Sequence, residues 1–158
     1  SGLVYNEKAV SWPKADTNDM VPGGGKIRVI TGTNPAAGAE IAQGVTSDQL
    51  WRLISVSFQL VNAAVAASRR VHLPIDTAGE LVLDAFSDID QITGETMNYT
   101  CAAFGDLPDR QDDNDILIPI PGNIIIDEDF VIRTATVNLQ GTDNFGAPSI
   151  WVEQFWSN

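Results

Sequence analysis

Residues 50–75, LWRLISVSFQLVNAAVAASRRVHLPI, decide the fold. From Leu50 the chain alternates, with Ile54, Val56, Phe58 and Leu60 pointing one way and Ser55, Ser57 and Gln59 the other. A period of two, built from β-branched and aromatic residues, predicts a strand with one buried face. Val71, Leu73 and Ile75 repeat the pattern against Arg70, His72 and Pro74. A helix is the rival, because Thr46 and Gln49 could form a capping box and Ala63–Ala67 favours helix. Two serines in the first apolar run and a proline in the second weigh against one long helix. The stretch therefore predicts a strand, a compact connector with room for a helical turn, and a returning strand.

Working outward, Lys26–Thr31 reads as a short strand, Gly32–Gly38 as a turn, and Ala39–Val45 as a weak strand. Beyond the central pair, Asp76–Gly79 is a hairpin turn into Glu80–Phe86. There Leu81, Leu83 and Ala85 alternate with Val82, Asp84 and Phe86, as for a strand covered on both faces or placed in an interface. Ile92–Phe104 is a strand with Gly94 as a candidate bulge. Ile116–Pro121 is extended, but its prolines cannot donate to a ladder and assign it to an edge. Phe130–Gln140 alternates, Gly141–Pro148 is a loop, and Ser149–Trp156 closes the chain. About eight short strands, Gly/Pro/Asp turns and no ten-residue helix predict an all-β antiparallel sandwich, jelly-roll-like in form.

The 158 residues fit one domain, drawn here as 26–158, with a buried fraction near 70% of the unfolded surface. No apolar run approaches a membrane span, and no charged-then-apolar leader opens the chain. Ser1-Gly2 is compatible with removal of an initiator methionine, and the expectation is a soluble protein made in a cytoplasm. Net charge is −12, unevenly placed. Residues 1–75 hold seven Lys/Arg and five Asp/Glu, or +2, whereas 76–158 hold two and sixteen, or −14. Such a chain repels nucleic acid and anionic membranes, so neither is an expected partner.

Residues 1–25 have no sustained period but carry Tyr5 and Trp12. A loose terminus is the plain alternative; the sharper one is an arm that covers these rings against a neighbouring subunit. Gly23–Lys26 (GGGK) is not a phosphate loop, since the glycine spacing and the Ser/Thr are missing and a strand follows.

Catalytic and metal chemistry finds little support. His72 is the sole histidine, on the polar face of its strand beside Arg70, with no G-x-S-x-G elbow anywhere. Cys101 lies in a strand-like run and reads as a small core residue. One histidine and one cysteine do not make a zinc site. Asp106, Asp109, Asp112, Asp113 and Asp115 could supply oxygens to Ca²⁺, but the EF-hand order fails and a solvated loop is the ordinary explanation. Asp127/Asp129 and Asp84/Asp88 are carboxylate pairs in or near turns, with no sign of a glycosidase cleft. No cofactor is expected, and the chain is not expected to be an enzyme.

The tryptophans carry more. On the last strand Ile150, Val152 and Trp156 share one face while Trp151 and Phe155 share the other, which suggests a core on one side and a partner on the other.

Trp51–Phe58, Ser68–Val71, the NYT at 98–100, the ILIPIP segment and Ile132–Leu139 before Gly141-Thr142-Asp143 resemble the small β-sandwich virion proteins of tailed bacteriophages. The resemblance spans residues 39–156 and implies a structural role on the virion. The favoured form is a head decoration (cement) protein on the capsid surface, contacting the major capsid protein and copies of itself, with a trimer the best guess. The alternative is a carbohydrate- or receptor-binding module of the same form, with Trp51 or Trp151 as a stacking platform. Candidate interface residues are Tyr5, Trp12, Lys26, Arg28, Trp51, Trp151 and Phe155. The basic pair is expected to face an acidic capsid surface.

Overall fold

A computed structural model describes residues 25–103 and 114–156. Tyr5, Trp12, the arm up to residue 24, and Asp106 to Asp113 of the acidic loop lie outside these residues. The described chain has twelve strands and no helix. Four are stubs of two or three residues: β2 (Ala42–Gly44), β8 (Ile125–Ile126), β10 (Ala135–Val137) and β11 (Asn144–Phe145). The other eight are β1 (Lys26–Thr31), β3 (Gln49–Val61), β4 (Arg70–Thr77), β5 (Glu80–Phe86), β6 (Thr96–Ala102), β7 (Asp115–Pro119), β9 (Phe130–Arg133) and β12 (Ser149–Trp156), which together with β2 overlap the strands expected from the sequence.

They form two sheets packed on one core, an all-β sandwich. The first runs β1-β12-β3-β6-β7, with β8 and β11 also paired to β3. In the second, β4 lies between β5 and the broken strand β9–β10, and β2 pairs with β9. All pairings are antiparallel except β6 with β7, which is parallel. The proline-bearing strand β7 is indeed at an edge, where a missing donor costs least.

The alternation in β3 changes phase, and that is the main departure from the sequence pattern. Trp51 and Leu53 are buried, then Val56, Phe58 and Leu60, so the buried set jumps from odd to even positions. The cause is a bulge: Trp151 of β12 faces Ser55 but Val152 faces Leu53, leaving Ile54 without a partner on that strand. An extra residue turns the following side chains to the opposite face. Trp51, fully buried with its indole N–H donating to Gln49 Oε1 at 3.0 Å, is core.

Smaller corrections follow local chemistry. The 62–69 connector holds no helical turn. Gly94 sits at φ +77 in the turn before β6 rather than in a bulge. Phe130–Gln140 is interrupted at Thr134, whose N–H and hydroxyl oxygen are both bonded to the Ile41 backbone.

The core lies between the sheets. Across the first sheet Ile30, Ile150, Val56, Cys101 and Ile118 form one inward row, and Val71, Leu73 and Ile75 face it from β4. Phe58 stacks on Tyr99 at 5.3 Å and meets the edge of Phe145 at 5.7 Å, within the range where aromatic pairs attract. Burial pushes the Cys101 thiol up, so it stays protonated as a small core side chain.

Candidate interaction surfaces

The two outer faces of the sandwich differ in kind. Residues paired across adjacent strands share a face. On the first sheet this gives two outward rows: Val29, Trp151, Ser55, Ala102 and Pro119, then Thr31, Ser149, Ser57, Thr100 and Leu117. None of the ten is charged, on a chain of net charge −12. Val29 is 64% and Trp151 45% exposed, while the serines and threonines keep the face low. Polar contacts bound this strip. On one side Gln59 Nε2 donates to Asn98 Oδ1, and Asn98 Nδ2 to Asp115 Oδ1, both at 3.0 Å. On the other, the Arg52 Nε–H donates to the buried Glu153 carboxylate at 2.5 Å, which also accepts the Gly25 N–H at 3.0 Å. Gly25 is required there, because a Cβ would lie 2.5 Å from Glu153 Cγ and 2.8 Å from the Phe155 ring.

The expected interface residues are thus split. Trp151 and the half-buried Phe155 lie on this outer face, as the alternation of β12 predicts. Lys26 and Arg28 pair with Gln154 and Val152, so they belong to the opposite side of β1 and do not join Trp151. Trp51 is the correction: buried in the core, it offers no ring to a partner or a sugar.

The outer face of the second sheet mixes charged and exposed apolar side chains, and each arginine there has its own carboxylate. Arg70 Nε–H donates to Asp90 at 2.8 Å, His72 Nδ1 lies 3.2 Å from Asp84, and Arg133 pairs with Asp76. His72 packs beside Phe86, with ring centroids 5.5 Å apart. Next to it Ser68, Arg70, Asp90, Val137 and Asn138 line a depression of about 320 Å³. No hydroxyl or thiol is hydrogen-bonded to His72 among the described residues. Leu81, Val82 and Phe86 of edge strand β5 are exposed, so the strand is not covered on both faces within the described residues.

The other acids have local tasks. Asp127 Oδ1 accepts the Asp129 N–H at 3.0 Å, closing the turn before β9. Among the described residues no three His, Cys, Asp or Glu side chains gather to hold a metal.

One polar centre is absent from the expected sites. Arg69 and Asp143 are both fully buried. The guanidinium donates to the carboxylate through Nε and Nη2, each at 2.9 Å, and through Nη1 to the carbonyls of Val65 and Ala67. Asp143 also accepts the N–H groups of Ala63 and Gln140 at 2.8 Å. Burial alone would raise the Asp143 pKa, but the Arg69 bond and these two N–H groups outweigh it and hold the carboxyl below its usual range. Beside this pair Gln91 donates to the carbonyls of Leu60 and Glu95 and accepts the Tyr99 hydroxyl at 2.9 Å. This network fixes the 62–69 connector in place of secondary structure. Its sequence signal is parity: Arg69 shares a phase with Val71, Leu73 and Ile75, so it had to face inward and find a partner.

An all-β sandwich with an uncharged strip across one outer face and ion pairs spread over the other is the class these features define. No family model matches the chain, and no curated protein does. Among solved structures, one described as "Structure of PfGH50B" is similar at 11% identity, with a TM-score of 0.39, over 84% of this chain and 23% of that one. A likeness at that level carries no argument about function.

Proposed function

We propose that the chain is a structural protein of a tailed-bacteriophage virion, most simply a head decoration protein that lies on the capsid and stabilises it through repeated contacts. The observation that carries this is the uncharged strip on the outer face of the first sheet. Interface centres are depleted in charge and anchored by aromatic residues, and this strip has no charged residue and presents the Trp151 ring beside Val29. The resemblance of the strand phrases to phage virion sandwiches points the same way. In this proposal the partners are the major capsid protein and further copies of the chain, as a trimer, and the capsid surface is its place. Each weak contact is multiplied across a symmetric lattice, so a modest face suffices.

The test is quantitative mass spectrometry of density-banded virions from lysates that contain the chain. Hundreds of copies per particle are expected; a chain left wholly in the soluble fraction refutes the proposal. The second reading, a receptor- or carbohydrate-binding module, has Trp151 in its favour as an exposed ring on a flat face. Trp51 no longer supports it.

A further inference from the structure

We propose that the depression beside His72, on the opposite face from Trp151, is a binding site for a neutral saccharide. It is carried by β4 and β10 of the second sheet. His72 pairs in register with Phe86 on one side and Ala135 on the other, and Arg70 with Val137, so these side chains share the outer face. Asp90 and Asn138 close the rim, held by the Arg70 Nε–H and by an Asn138 Nδ2–H bond of 3.1 Å to the Ser68 carbonyl.

The chemical class follows from what the internal pairing leaves over. Among the residues that line the cavity Arg70 is matched by Asp90, so the lining has no surplus formal charge with which to select an anion or a cation. The remaining groups are directional and mixed: the guanidinium Nη donors, the second Asp90 oxygen, Asn138 Oδ1, the Ser68 hydroxyl and His72 Nε2. Val137, 51% exposed, gives the lining its apolar surface, and Phe86 lies beside the His72 ring just outside it. A pyranose matches both features. Its hydroxyls donate and accept at once, and its C–H face packs on aliphatic and aromatic carbon. At about 320 Å³ the cavity is at the small end for ligand sites, which restricts it to one or two rings. The site stands apart from the capsid-docking proposal, and either can fail without the other.

His72 is the only histidine, so its imidazole Cε1–H is a unique NMR reporter. The full chain would be titrated separately with the methyl glycosides of glucose, galactose, mannose, N-acetylglucosamine and rhamnose. At least one should move the His72 resonance saturably. Arg70→Ala should weaken that sugar about tenfold, the scale of one lost hydrogen bond to a charged group. Asp90→Asn, which keeps the shape of the exposed pair, should weaken it as well, whereas Trp151→Ala should not. No saturable shift with any of the five sugars overturns the proposal. So does unchanged affinity in Arg70→Ala or Asp90→Asn. A sulfate titration that moves His72 at lower concentration than every sugar would overturn it too, by making the depression an anion site.

Discussion

Asp143→Asn should be among the most damaging single changes outside the apolar core. The carboxylate receives four N–H groups: two from Arg69 and one each from Ala63 and Gln140. An amide of the same shape must turn an NH₂ toward some of those donors, leaving the Arg69 charge buried and under-satisfied. Breaking a fully buried pair from one side costs about 3–5 kcal/mol. With a urea dependence of roughly 2 kcal/mol per M for a domain of this size, the midpoint should fall by about 2 M. Equilibrium urea unfolding followed by tryptophan fluorescence measures it. The pH dependence supplies an independent arm. A carboxyl whose folded pKa is lowered contributes stability above its unfolded pKa, about 3.9, and that contribution is lost as pH falls through the folded value. The gap between wild type and Asp143→Asn should therefore stay constant from neutral pH to about 4 and narrow below it. Arg69→Met with Asp143→Leu should cost less than the sum of the two single changes, since no charge is stranded. A loss under about 1 kcal/mol for Asp143→Asn, or a gap indifferent to acid, would refute the reasoning.

The β4–β5 hairpin turns through Ala78 at φ 47 and Gly79 at φ 83, both left-handed, where alanine is strained. Ala78→Asn should stabilise by about 1 kcal/mol and raise Tm by roughly 2–4 °C in calorimetry; an unchanged or lower Tm counts against it. Gly38→Ala should destabilise by more than about 1 kcal/mol in the same assay, because its φ is +73 and a Cβ would sit 2.7 Å from the Gly141 Cα. Lys26→Glu with Arg28→Glu, on the side of β1 turned away from Trp151, should leave particle occupancy unchanged at low and at high ionic strength, and a loss at low salt only would place the pair against the capsid.

What was legible in the sequence was what strand periodicity controls locally. β1, β5 and β12 begin and end where alternation and turn residues place them, β4 runs on through Asp76 and Thr77 of the expected turn, and Pro119 assigns β7 to an edge. Trp151 could be read as outward-facing because its neighbours Ile150 and Val152 are so plainly core. The misplacement of Trp51 has one cause, the bulge at Ile54. A bulge depends on how β12 meets β3, a contact about a hundred residues away in the chain, and leaves no mark in β3 itself. The same holds for Thr134, whose partner is Ile41. Charge alone puts Lys26 and Arg28 among the interface residues, whereas register sets them on the side of the sheet opposite Trp151. Arg69 is the instructive omission: its parity announced burial, but only the folded chain brings Asp143 to it.

The account rests on the uncharged face of the first sheet meeting the capsid. Oxidative footprinting of Trp151, on the free chain and on purified particles, measures this most directly. Strong protection of Trp151 on the particle, with the exposed Phe86 of the other sheet equally reactive in both states, is the predicted result. Trp151 as reactive on the particle as in free solution, or Phe86 protected in its place, would contradict it.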